Sequence, residues 1–328
     1  MKYFSTSGDR TLVAGEGVQD ETDLVRLKIS MVVPCASDLA LYEGKVPLAK
    51  PRIPGHMATA VVSEDREEYG LKLGARVMIN PYILSTKDAE GYSKVGVYGL
   101  NADGFLRDFI ALPIDNIVPF PEDVKEQEAL FAEAVSVALA AFNSFRVEKG
   151  EYIAVVGGSV LGIIAAQLAL YYQAIPILIS NDRRYLEIAS KCGVYYVIDE
   201  AAENTARRVM EITGGRMADH TIVHDKAGVT PNFLFTLAAH GSDCVVMSLN
   251  DTMPRLEVDL SLAVQKNLTV KGVSCGCDEF NSAVNLIAQK QLDFSHFIDK
   301  VVPFAESGDL FRSLSDNPDQ YIAAAIRI

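Results

Sequence analysis

Glu151–Arg184 reads EYIAVVGGSVLGIIAAQLALYYQAIPILISNDRR, and the order of its apolar runs and glycines decides the fold. The run Tyr152–Val156 ends at Gly157, Gly158, Ser159, Val160, Leu161 and Gly162. An apolar stretch of helical length follows, then a second apolar run, Ile175–Ile179. Strand, glycine turn, helix and strand make one βαβ unit. Its turn offers backbone N–H groups and a helix N-terminus to a pyrophosphate.

The fingerprint G-x-G-x-x-G is altered at its middle glycine, where this chain has Ser159. Gly157 still permits the tight turn, and Gly162 still permits close packing of helix on strand. No Asp, Glu, Lys or Arg occurs from Tyr152 to Ser180, a length that could span a bilayer. The clustered glycines, with Gln167, Gln173 and Pro176, speak against a span. Parallel strands covered on both faces also read as continuous apolar runs.

Downstream the pattern continues as βαβα. Strands are expected over 152–156, 175–180, 195–199, 220–225, 243–249 and 268–274, with helices over 183–192, 201–213 and 230–240. Six strands joined by crossover helices predict a doubly wound parallel sheet of the Rossmann type. Residues 278–292 read as helix, and the chain closes in a strand-like YIAAAIRI. Upstream the character is all-β. Candidate strands are 10–14 and 23–33, with further runs after His56 and across 71–80. Residues 81–104 read as an irregular loop, 105–121 as extended, and 123–145 as one helical stretch.

The chain has 328 residues, enough for two domains, and a net charge of −13. That acidity argues against nucleic acid or an anionic membrane as a partner. The N-terminus lacks an apolar signal core. Five scattered cysteines without such a signal suggest reduced thiols in a cytoplasm. Cys275 and Cys277 have the wrong spacing for a zinc knuckle and are expected at a strand end.

Several segments together resemble the zinc-dependent medium-chain dehydrogenases, in particular the sorbitol, polyol and threonine dehydrogenase branch. They are CASDLALYEGK from Cys35, RIPGHMATAVV from Arg52, DGFLRDFIALPIDNIVPFPEDV from Asp103, AEAVSVALAAF from Ala132, and the glycine turn. The resemblance implies a GroES-like, mainly β catalytic domain split by an inserted Rossmann domain. The expected boundaries are 1–134, 135–274 and 275–328.

The resemblance also implies a site. Oxidising an alcohol requires removal of a proton from oxygen and a hydride from carbon. An open zinc site lowers the alcohol's pKa, and a nicotinamide takes the hydride. Cys35 and His56 match two family zinc ligands, and Glu133 matches the acid of the family's E-P-L motif. Asp38 matches an acid that orients the ligand histidine, and Ser37 is the hydroxyl able to pass the substrate proton. The chain departs from the family at Met57, Ala40 and Ala134, which stand where it has a glutamate, a proton-relay histidine and a proline. Residues 80–104 contain no cysteine, so one catalytic zinc is expected and no structural zinc.

Cofactor choice rests on the tip of the second strand. Ser180 there, with Arg183 and Arg184 close by, favours NADP(H); Asp182, if it is the deciding acid, favours NAD(H). The preferred reading is a cytoplasmic, homo-oligomeric (dimer or tetramer), zinc-dependent and NADP(H)-favouring oxidoreductase acting on a small alcohol, polyol or matching carbonyl compound. Its dinucleotide-binding residues are Gly157, Gly158, Ser159, Val160, Leu161, Gly162, Ser180, Arg183 and Arg184. The rivals are a zinc-free reductase of the same fold and a non-catalytic nucleotide-binding protein.

Overall fold

Tyr152–Val156 forms a central parallel strand because both its faces are covered. Ile153, Ala154 and Val155 are fully buried, so the polar alternation of a half-exposed strand is absent. In a computed structural model, which describes residues 1–19, 24–87, 93–224, 231–247 and 260–328, this strand belongs to a compact unit of residues 134–279 and 291–297. The unit's six-stranded sheet runs in the order Tyr196–Asp199, Ile175–Ser180, Tyr152–Val156, Ala218–Val223, Ala238–Met247 and Thr269–Val273. All five pairings are parallel. The first three strands run outward from the centre on one side and the last three on the other. This is the Rossmann order, with its topological switch beside Tyr152–Val156.

The helix Val160–Tyr171 follows the glycine turn and is apolar all round because it is buried from Leu161 to Ala169. Its polar exception, Gln167, is satisfied in both directions. Its amide donates to the Asp293 carbonyl at 3.0 Å and its Oε1 accepts from the Asp293 N–H at 2.7 Å. Those bonds tie 291–297 back onto this unit. Among the described residues no helix is long and apolar enough to cross a membrane.

The second unit comprises residues 1–133, 280–290 and 298–328. Its main sheet runs Ile298–Pro303, Ala323–Arg327, Val25–Val33, Met57–Val62, Arg76–Ile79 and Ile117–Pro119, with Phe109–Leu112 also paired to Val25–Val33. Here alternation is visible. Val25, Leu27 and Ile29 point into a core with Ala58, Ala60, Val77 and Ile110, while Arg26 and Lys28 face out. Val33 leads through Pro34 to Cys35 and the helix Ala36–Tyr42, and His56 immediately precedes Met57–Val62. Adjacent antiparallel strands, paired Val33 to Met57, thereby bring Cys35 and His56 to the same sheet end.

Several expectations need correction. Residues 81–104 are not a plain loop: Tyr82–Lys87 and Ser93–Val97 pair as an antiparallel ribbon. Its period-two signal is broken by a register shift between Ile83 and Thr86. The stretch 123–145 is two helices, Glu126–Ala129 and Ala132–Asn143, and no Gly or Pro marks the break. The helix expected over 230–240 ends at Leu237, because pairing of Ala238 with Ala218 overrides alanine's helical preference. Ile298–Pro303 and Ser307–Asp316 were not among the expected elements. Residues 23, 225, 230 and 248–249 of the expected elements lie outside the described residues.

Gly162 is required by contact. A Cβ there would lie 2.1 Å from the Gly157 carbonyl oxygen, a backbone atom that cannot step aside cheaply. Gly162→Ala should therefore lower stability by about 1–3 kcal/mol and weaken dinucleotide binding, read from urea denaturation and a binding titration. Unchanged values in both would contradict this packing.

Candidate functional site

Asp38 joins the two segments that carry Cys35 and His56. Its carboxylate is fully buried. Oδ1 accepts from the Gly55 N–H at 2.6 Å, and Oδ2 accepts from the Cys35 N–H at 2.9 Å. Oδ2 also lies 3.6 Å from His56 Nδ1. The bond to Cys35 caps the helix Ala36–Tyr42, so one side chain fixes both a helix start and the turn before His56. Burial pushes the Asp38 carboxyl up, but the His56 imidazole and the two N–H donors outweigh burial and hold it below the ordinary carboxylate range.

With Nδ1 turned towards Asp38, the other ring nitrogen of His56 faces the thiol. His56 Nε2 and Cys35 Sγ are 3.4 Å apart. Burial pushes His56 down, yet Cys35 and Asp38 together hold it well above the ordinary imidazole value of 6.5. The ring is thus held between a buried carboxylate and a sulfur.

The donor set fits zinc. A thiolate at about 2.3 Å and an imidazole nitrogen at about 2.0 Å, held tetrahedrally by one ion, stand about 3.5 Å apart. Cys35, Asp38 and His56 have their ligand atoms within 4.8 Å of one another. Both Asp38 oxygens already accept backbone N–H groups, which suits it to orienting His56 rather than to ligating. The Ser37 N–H donates to Cys35 Sγ at 3.3 Å, which fixes the sulfur's position at the helix start.

Glu133 lies outside that cluster. It sits in the first turn of Ala132–Asn143, and its Oε1 accepts from the Tyr82 hydroxyl at 3.2 Å. Ser37 is half-buried beside Cys35, and Met57 and Ala40 are buried. Tyr82 was missed because it fell within the supposed loop. So was the glycine packing beneath His56. Gly55 has φ +93°, and a Cβ on Gly104 would lie 2.3 Å from the Gly55 carbonyl oxygen. That oxygen accepts from the Phe105 N–H at 2.8 Å. Gly99 and Gly104 thus let 99–106 pack directly under the His56 turn. Three separated glycines carry no local motif that would have announced this.

At the other candidate site, Ser159 takes a specific part. Its side chain caps Val160–Tyr171 by accepting from the Gly162 N–H at 3.0 Å. The N–H groups of Val160 and Leu161 belong to the first turn, where a helix provides no acceptor of its own. Gly157 has φ +124°, and a Cβ on Gly158 would meet Ser180 Oγ at 2.0 Å. Ser180 is buried, and its Oγ accepts from the Asp182 N–H at 3.0 Å. Asp182 caps the helix Arg183–Lys191 and pairs with the Arg184 guanidinium, while Arg183 pairs with Asp199 at 2.7 Å. Arg184, through its bonds to Asp182, holds that carboxyl below its ordinary range.

Residues 21–122 match the alcohol dehydrogenase GroES-like domain, and residues 160–289 match the zinc-binding dehydrogenase domain. The chain belongs to the zinc-type medium-chain dehydrogenase superfamily. It is 28% identical over 310 residues to an uncharacterized zinc-type alcohol dehydrogenase-like protein of Haemophilus influenzae, covering 91% of this chain and 90% of that one. It is 26% identical to a 2-dehydro-3-deoxy-L-galactonate 5-dehydrogenase of Pseudoalteromonas atlantica, over 94% of this chain and 92% of that one. A Sinorhizobium meliloti protein solved with NADP bound shares the fold at TM-score 0.87 and 19% identity, covering 100% and 99% of the two chains. The chain is an alcohol or polyol dehydrogenase-like oxidoreductase.

Asp38→Asn keeps the size of the side chain but sets an NH2 group against either the Cys35 or the Gly55 N–H. Zinc affinity should fall about 10–100-fold, measured by chelator competition. Unchanged affinity would remove Asp38 from its orienting role.

Proposed function

We propose that the chain interconverts a small alcohol or polyol and its carbonyl counterpart, with one zinc held by Cys35, His56 and Glu133 and with NADP(H) as hydride carrier. The observation that carries this reading is the 3.4 Å approach of Cys35 Sγ to His56 Nε2 with Asp38 behind the ring. Zinc, when bound, would supply a Lewis acid that lowers the pKa of the substrate hydroxyl. Cys35 and His56 would hold it, with Asp38 keeping the His56 tautomer that presents Nε2. A third donor is needed, and Met57 offers only a thioether, which is not among the Cys, His and Asp/Glu donors that zinc takes in proteins. Glu133 is the acid at the family-matching position. Ser37, beside Cys35, would carry the substrate proton away, and Ala40 supplies no relay histidine after it.

The dinucleotide's pyrophosphate would rest on the turn Gly157–Gly162, against the positive end of Val160–Tyr171. Ser180 at the strand tip leaves that position without a carboxylate, and the Asp182 charge is matched by Arg184. Arg183 and Arg184 would turn to a 2′-phosphate, which supports NADP(H). The sugar-acid dehydrogenase among the relatives supports a hydroxyl-rich substrate.

Glu133→Ala should lose zinc and turnover together, measured by metal analysis and by a panel of polyols and ketones, while NADP(H) binding survives. Full zinc with full turnover would assign the third ligand elsewhere. Ser180→Asp should shift preference towards NAD(H), because a carboxylate repels the 2′-phosphate and accepts from ribose hydroxyls. A wild-type protein that already prefers NAD(H) would make Asp182 the deciding acid.

A further inference from the structure

Cys275 and Cys277 lie just beyond the strand Thr269–Val273, at the carboxyl edge of the parallel sheet. That edge also bears the Gly157 turn. Their strand is the last of the three that form the sheet's second half, the half that takes the second mononucleotide of a dinucleotide.

The two thiols are partly exposed, and their Sγ atoms are 3.9 Å apart. The residue between them is buried and fixed. A Cβ on Gly276 would lie 2.2 Å from the Ser136 carbonyl carbon and 2.3 Å from its oxygen, so the backbone is pressed directly onto the helix Ala132–Asn143. The Gly276 carbonyl accepts from the Glu279 N–H at 2.9 Å, closing the short turn that holds Cys277. Burial, and after it the neighbouring Cys275, pushes the Cys277 thiol up to about 11. Either thiol can start an exchange, and the other, 3.9 Å away, completes it.

We propose that Cys275 and Cys277 form a reversible dithiol–disulfide pair, closed by low-molecular-weight disulfides, that sets the affinity of this edge for dinucleotide. The affinity effect rests on the dinucleotide reading above. The thiolate of one cysteine attacks a disulfide R–S–S–R, forming a mixed disulfide and releasing RS⁻. The other cysteine's sulfur then attacks the first Sγ, releasing the second RS⁻. The two protons lost by the cysteines go to the two released thiolates, so the protein pair is oxidised and R–S–S–R is reduced to two RSH. A ring spanning one intervening residue is strained, and strained disulfides are the readily reduced kind. Closure brings the sulfurs from 3.9 Å to about 2.0 Å. With Gly276 fixed against Ser136, the movement must be taken up by the Cys277 turn and the end of Thr269–Val273.

The test uses the full-length, zinc-loaded protein in buffers of reduced and oxidised glutathione, with thiol alkylation and peptide mapping beside NADP(H) and NAD(H) titrations. The peptide carrying both cysteines should lose two hydrogens and both alkylation sites together, and dithiothreitol should restore them. Affinity should fall about tenfold, within the roughly 5–150-fold span of ordinary couplings. The Cys275→Ser/Cys277→Ser protein should bind equally in both buffers, which separates the effect from oxidation at Cys35 or Cys192. Either single variant, Cys275→Ser or Cys277→Ser, should trap glutathione on the remaining cysteine. Glutathione adducts on the wild type without the internal bond would overturn the proposal, as would an internal bond with unchanged affinity. If the reduced protein binds neither dinucleotide, the dinucleotide reading fails and the affinity switch fails with it. The mapping reports the cysteine pair in either case.

Discussion

The buried Asp38 carboxylate is the constraint on which the metal-site reading depends. It accepts from the backbone of both the Cys35 and the His56 segments and faces the imidazole. Charge-assisted hydrogen bonds of this kind contribute about 1.5–3 kcal/mol each, and a lost partner would leave buried N–H groups unsatisfied. The antiparallel pairing of Val25–Val33 with Met57–Val62 delivers the two segments to one end of a sheet. Asp38 then sets their separation and the ring's orientation. Packing of 99–106 beneath Gly55 supports the same turn from below.

The Rossmann unit rests on a different constraint, the absence of side chains. Gly162 lets the helix approach the Gly157 carbonyl, and Gly158 leaves room for Ser180 from the neighbouring strand. Ser159, where the fingerprint has glycine, uses its hydroxyl to cap the helix it precedes. The altered fingerprint therefore keeps the turn's shape while occupying one of its N–H donors.

How much could be read in advance differed between the two units. Tyr152–Val156 and Ile175–Ser180 were legible because a fully buried parallel strand writes itself as an unbroken apolar run. Their glycine turn is a local motif. Cys35, Asp38 and His56 were legible through their family-like spacing, and the structure brings these three together. Their mutual bonds were not legible, because Asp38 contacts Gly55, 17 residues away, only through the fold. Tyr82 was hidden in a ribbon whose alternation is interrupted. The break between Glu126–Ala129 and Ala132–Asn143 has no Gly or Pro to mark it. Ala238 joined a strand against its own preference because a parallel neighbour was available.

The central claim is that a mixed thiolate, imidazole and carboxylate set holds one zinc at the Asp38-linked site. X-ray absorption at the zinc edge of the purified holoprotein tests it most directly. The account predicts one zinc per chain with a single sulfur scatterer at about 2.3 Å and the remaining nitrogen or oxygen scatterers at about 2.0–2.2 Å. A zinc surrounded by two or more sulfurs would contradict it, as would a purified protein that takes up no zinc at this site.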